Sequence, residues 1–187
     1  MNSEKRPNPS SERSKKWLTE SLLELLKEQP YSKITIQDIS KKADLVRQTF
    51  YKNYNIKDDI LENHIENLFI NFATEFFKEN KFDIRNFMKS HLNFWAQNSE
   101  FLGLLIQNNL TYLLDKQYKK HIPDLIDALI PKKIDRDSPK HKYALAFLSG
   151  ALVNVLVEWV YYDQEYNVDE LSALINIIMK GQYFSNI

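Results

Sequence analysis

Apolar residues recur at spacings of three and four along most of the chain, the period of helices that hide one face. Leu18, Leu22, Leu25 and Leu26 form a first stripe, which Ser10 or Ser11 can cap, Glu12 can support in its opening turn and Pro30 ends. Ile36, Ile39 and Ala43 mark a short second helix with Thr35 as N-cap and Asp38 as a first-turn acid. The period lapses over Ala43-Asp44-Leu45-Val46, where Asp44 is a turn former, and resumes from Arg47 to Asn53 with Phe50 and Tyr54 on one side. A longer helix follows from Asp58 to a break at Asn80-Lys81, carrying Leu61, Ile65, Leu68, Phe69, Phe72 and Phe76 on its apolar face.

Further segments near 83–97, 99–109 and 110–121 keep the helical period and hold Phe87, Phe94, Trp95, Phe101, Tyr112 and Tyr118. Pro123, Pro131 and Pro139, with Lys132, Lys133, Asp135, Arg136 and Asp137 among them, predict a polar connection enclosing a short helix from Leu125 to Ile130. Residues 140–163 are the strongest hydrophobic run, long enough to cross a bilayer. Asn154 and Glu158 lie inside that run, so a buried helix is the expectation and no membrane partner is. The last stripe, within 168–183, is Leu171, Leu174, Ile175, Ile178 and Met179. Strand-like alternation and internal repeats are missing from the sequence. The pattern therefore predicts an all-α protein: a flexible tail over residues 1–9, a three-helix head with a helix-turn-helix over 10–57, and a larger helical bundle over 58–187.

Composition narrows the chemistry. Zero Cys excludes a disulfide framework and thiolate sites and suits a reducing cytosol. Glycine occurs only at 103, 150 and 181, too few for a phosphate loop or a dinucleotide fingerprint. His64, His91, His121 and His141 each lack a Glu three residues before, so the paired Glu-x-x-His of carboxylate-bridged metal bundles cannot be written, nor can His-Glu-x-x-His. No catalytic residue, metal or cofactor emerges, and an enzyme is not expected. Net charge is zero, yet residues 1–57 hold 12 Lys and Arg against 7 Asp and Glu, while 58–187 hold 13 against 18. A basic head on an acidic body points one end towards a polyanion.

The segment 47–53 gives that polyanion an identity. Arg47 and Gln48 carry paired donors and acceptors that match base edges in a major groove, Thr49 can touch a thymine methyl, and Tyr51 and Lys52 suit phosphate oxygens. Lys57, at the start of the next helix, could hold another phosphate with backbone N–H groups. A helical hairpin with merely solvated charges would share these features.

Beyond chemistry, the segments Ile34-Thr35-Ile36-Gln37-Asp38-Ile39-Ser40, Ala43-Asp44-Leu45-Val46, Thr49-Phe50-Tyr51-Lys52-Asn53-Tyr54 and Lys57-Asp58 resemble the DNA-binding domain of the TetR family of bacterial transcriptional regulators. Two positions depart from the family pattern: Asp44 replaces the turn Gly, and Val46 replaces the Ser that caps the recognition helix. The latter removes a cap worth about 1 kcal/mol, so fraying is expected there. The resemblance implies a homodimer that reads an inverted repeat of double-stranded DNA with Thr35, Arg47, Gln48, Thr49, Tyr51, Lys52 and Lys57. It also implies repression controlled by a small-molecule effector, or, alternatively, a co-regulator that needs no ligand and recruits a protein partner.

The C-terminal stretches FLGLLIQNN and YALAFLSGALVNVLVEWV resemble more weakly the DhaS-like subgroup of that family. His91, Trp95, Phe101, Tyr112, Phe147, Asn154 and Glu158 are the candidate effector pocket, combining apolar walls with a few polar groups. Ala146 and Gly150, with Leu171, Leu174, Ile175 and Ile178, are the candidate dimer interface.

Overall fold

Thr35 shows how local chemistry starts a helix in this chain: its Oγ1 accepts from the Asp38 N–H at 3.2 Å while the Asp38 carboxylate accepts from the Thr35 N–H at 2.9 Å. The Thr35 hydroxyl also donates to that carboxylate at 2.6 Å, and this bond first, with the backbone one second, holds the Asp38 carboxyl below its ordinary pKa. The structure, a computed structural model, describes residues 9–78, 84–129, 135–162 and 165–183. The N-terminal tail up to residue 8, the Asn80-Lys81 break and the Pro131-Lys132-Lys133 part of the connection lie outside them. Among the described residues there are nine α-helices and no strand.

In chain order the helices are α1 (Pro9–Glu28), α2 (Ile36–Lys42), α3 (Arg47–Asn53), α4 (Lys57–Lys78), α5 (Ile84–Gln97), α6 (Ser99–Gln107), α7 (Thr111–Leu129), α8 (Pro139–Tyr161) and α9 (Val168–Met179). They fall into two compact units, Met1–Glu66 and Asn67–Ile187, and α4 runs from the first into the second. The first unit thus reaches past residue 57. Tyr31 donates to the Asp58 carboxylate and Tyr54 to the Asn63 amide oxygen, which binds the opening turns of α4 to the head.

In the head, Leu18, Leu22, Leu25 and Leu26 of α1 are buried, as are Ile34, Ile39 and Phe50, and the first three helices pack pairwise. In the second unit α5 lies against α9, and α7 and α6 lie against α8. Its interior is largely aromatic, with Phe72 and Phe87 rings 5.8 Å apart and the Phe69 and Tyr118 rings 4.7 Å apart, edge to face.

One C-terminal device closes three helices. Asp44, Asn109 and Gly181 adopt positive φ of 53°, 57° and 69°. Around each, the next N–H reaches back to the carbonyl five residues earlier: Leu45 to Ser40, Leu110 to Leu105 and Gln182 to Ile177. Asp44 therefore performs the turn expected of a glycine.

Three expectations need correction. Pro123 does not end a helix, because α7 continues through it to Leu129. Losing one helical hydrogen bond costs about 3 kcal/mol, whereas burying each apolar neighbour gains about 1.5–3 kcal/mol, and Tyr118 and Ile122 are both buried. Pro139 is not connection but the first residue of α8, where its missing N–H costs nothing and Ser138 caps the helix. Nor is α8 a buried helix: Tyr143, Phe147 and Tyr161 along it are exposed, Phe147 by 69%.

Candidate functional site

α3 is anchored from behind. Phe50 is fully buried and Tyr54 nearly so, and Asn53 bridges two helices by donating to the Thr49 carbonyl and accepting from Ser11 of α1 at 2.6 Å. That leaves Arg47, Gln48, Tyr51 and Lys52 exposed and Thr49 partly exposed. The Arg47 guanidinium donates to the Tyr51 hydroxyl at 2.9 Å and lies 5.4 Å from its ring centroid, so the two side chains form one stacked unit. Among the described residues the side chains of Gln48 and Lys52 have no hydrogen-bonding partner and keep their polar groups for solvent or a ligand. Val46 occupies the N-cap position and gives no side-chain cap, yet α3 is formed from Arg47.

Two predicted contacts do other work. Thr35 is exposed, but its hydroxyl is engaged with Asp38. The Lys57 ammonium donates to the Tyr31 carbonyl at 2.6 Å and the Ile34 carbonyl at 2.9 Å, and lies 3.9 Å from the Tyr31 ring centroid. Burial moves its pKa down, against the pull of Asp58. One of its three donors is left for a phosphate. The Asn55 and Ile56 amides, at the entrance to α4, are filled by the Asp59 carboxylate.

The seven residues expected to line one pocket do not come together. His91 lines a cavity of about 100 Å³ between α5, α7, α8 and α9, walled by Phe87, Ile122, Leu152, Val155 and Ile175 among others. Trp95 stands one turn further along α5. Phe101 is buried in α6, whereas Tyr112 and Phe147 are exposed. Asn154 and Glu158 sit on an exposed groove beside Trp159, Tyr162 and Tyr166. The expected grouping does not form because the helical period of α8 sends Phe147, Asn154 and Glu158 outward while Leu152, Val155 and Leu156 turn to the cavity.

Tyr118, which sequence reasoning treated only as one more aromatic, completes the polar part of this site. The Trp95 indole N–H donates to its hydroxyl at 2.7 Å, and that hydroxyl lies 2.5 Å from His91 Nε2. The direction of that second bond follows the imidazole tautomer: Tyr118 donates to Nε2 when the histidine proton sits on Nδ1, and accepts when it sits on Nε2. That Nδ1 is buried and unpartnered among the described residues. Burial moves His91 down to about 3 and pushes the Tyr118 phenol up, the latter opposed by the Trp95 hydrogen bond.

The candidate interface residues also divide. Leu171 and Ile175 are buried inside the chain, Leu174 and Gly150 are partly exposed, and Ala146 and Ile178 are exposed. A Cβ added at Gly150 would meet nothing within 4 Å.

A family model described as a transcriptional regulator C-terminal region, of the TetR type, matches residues 83–181, more than half of the chain. The chain belongs to the TetR family of transcriptional regulators. Several solved structures share the fold of this TetR-family regulator. Lin0861 from Listeria innocua superposes with a TM-score of 0.80 at 16% identity, covering 94% of each chain. A TetR transcriptional regulator from Streptococcus agalactiae gives 0.59 at 23% identity, over 87% of this chain and 90% of its own. The fatty acid degradation regulator FadR from Bacillus halodurans gives 0.55 at 17% identity, over 94% and 95%. No curated protein matches the sequence of this regulator. Among the described residues no group of three His, Asp or Glu side chains could hold a metal ion.

Proposed function

We propose that this TetR-family regulator is a cytoplasmic repressor that binds an inverted-repeat operator as a homodimer, placing α3 of each subunit in a major groove, and releases it when a small-molecule effector occupies the second unit. The observation that carries this reading is α3 itself: Phe50 is buried beneath it while Gln48, Tyr51 and Lys52 stand in solvent. On this reading Thr35, Arg47, Thr49 and Lys57 belong to the same DNA-facing side, and the head carries the excess of positive charge. Phosphates attract such a surface regardless of sequence, and Gln48 and Thr49 then read base edges.

The exposed apolar side of α8 and α9 supports pairing of two subunits. Tyr143, Phe147, Tyr161, Ile178 and Met179 are too many large apolar groups to leave in water on adjacent helices. Ala146, Gly150 and Leu174 belong to the same proposed interface. A two-fold pair presents its recognition helices to successive grooves about 34–36 Å apart. The effector acts only to the extent that it prefers one separation of the two heads over another.

Selection of fragments from random DNA by the purified protein, followed by sequencing, tests the proposal. Enrichment of two inverted half-sites one helical turn apart is the expected result. Retention without any enriched motif would remove the specific-regulator reading. A partner-recruiting co-regulator that takes no ligand is the second reading, since the exposed face of α8 could meet another protein; a dimeric mass without added partner counts against it.

A further inference from the structure

Val46 is unfavourable twice over, with no return inside the folded head. It occupies the N-cap of α3, where Ser, Thr, Asn or Asp would accept a first-turn N–H and Val accepts none. It is also 68% exposed, so its side chain gains little from burial. The turn before it shows that local packing does not demand this. Asp44 at φ 53° and the Leu45 N–H on the Ser40 carbonyl close α2. Ala43 is buried and Leu45 only partly exposed, whereas Val46 stands outside with an extended backbone.

Scattered apolar side chains are ordinary on a protein surface. What sets Val46 apart is its address. A helix-turn-helix brings the N-terminal residues of its second helix against base edges, and Val46 directly precedes Arg47, Gln48 and Thr49. Arg47 donates to the Tyr51 hydroxyl at 2.9 Å, which draws its guanidinium one turn along α3 and leaves an apolar group at the leading end. Val offers no hydrogen bond to a base edge. Of the groups that unmodified bases present in a major groove, the thymine methyl alone is apolar.

We infer that Val46 is a specificity residue that packs on the 5-methyl group of one thymine in each half-site. This rests on the reading of α3 as the recognition helix of an operator-binding regulator, and it names a base which that helix selects. The apolar area that Val46 leaves in water in the free protein is covered only in this complex. Cytosine, with a hydrogen at the same ring carbon, leaves the side chain without a partner.

Deoxyuridine is thymidine without that methyl and pairs with adenine in the same way. The half-site enriched from random DNA by the full chain is resynthesised with each thymine replaced in turn, in both halves, and affinity is read by fluorescence anisotropy. One such replacement is expected to weaken binding about fourfold per half-site, the ratio for burying a methyl group. Val46→Ser removes the apolar contact while supplying a cap that favours the fold, and with it the thymine-to-uracil ratio at that position falls to about one. Thr49→Ser, which removes a neighbouring methyl, leaves the ratio at that position unchanged. A general weakening of the complex by either variant would lower affinity for both bases alike and would not move the ratio. An enriched half-site with no fixed thymine, thymines that are all insensitive to uracil, or sensitivity that Thr49→Ser erases and Val46→Ser does not, overturns the inference and leaves the operator-binding reading in place. Retention of DNA with no enriched motif overturns both.

Discussion

At Lys57 the ammonium answers a structural demand before an electrostatic one. Two backbone carbonyls in the loop between α1 and α2 lean on it, and Tyr31 both stacks against it and ties Asp58. Hydrogen bonds from a charged donor contribute about 1.5–3 kcal/mol. Lys57→Met is therefore expected to lower stability by roughly 2 kcal/mol in urea titration and to leave the salt dependence of DNA binding nearly unchanged. Lys52→Ala should do the reverse: stability within about 0.5 kcal/mol, and a salt slope smaller by about one. Equal slopes for both variants would mean that Lys57 is a phosphate contact after all. His91 makes a different prediction. Its folded pKa, about 3, lies below the ordinary 6.5, so the unfolded chain takes up the proton first as pH falls. The stability held by neutral His91 is full above pH 6.5 and is lost progressively towards the folded value. Between pH 7 and 5 the unaltered protein should lose roughly 2 kcal/mol more than His91→Gln, and parallel denaturation curves for the two would disprove the assignment.

At the scale of elements, α3 starts with no side-chain help, in contrast to α2 with its Thr35 cap. Val46 is 68% exposed and already has the extended backbone of an N-cap, at φ −73° and ψ 145°. Ser in its place could accept from the Thr49 N–H without loss of buried area. Val46→Ser should raise stability by about 1 kcal/mol and slow amide exchange at Gln48 and Thr49; unchanged exchange would show that the first turn is already fixed by packing. Helix starts of this kind were legible in the sequence, because Thr35, Asp38 and Asp44 act through neighbours a few residues away. Pro123 was not: whether a proline ends a helix depends on how much apolar surface its flanks bury, and Ile122, Leu125 and Ile126 face partners distant in sequence. The His91–Tyr118 pair, 27 residues apart, was hidden for the same reason. Three of the seven expected pocket residues, Phe147, Asn154 and Glu158, lie elsewhere because periodicity gives the faces of α8 without saying which face meets the core.

For the whole molecule, the exposed side of α8 is the largest debt left by folding a single chain. Phe147, at 69% exposure, contributes little to the stability of one protomer, so a charge there should not unfold it. In a two-fold pair the same residue lies near its own counterpart, and two Glu side chains buried against each other repel and lose their hydration. Phe147→Glu is therefore expected to reduce the mass seen by light scattering from twice the 22.2 kDa chain to a single copy, with helical content retained. Operator affinity should fall by at least ~100-fold, because the second head no longer binds at the effective concentration that linkage supplies. Binding to a single half-site should be far less affected, since each α3 is held by its own Phe50, Tyr54 and Asn53. If the variant remains a dimer, pairing uses another face; if it becomes a monomer and still binds the full operator as tightly, the two heads act independently and the inverted repeat loses its physical basis.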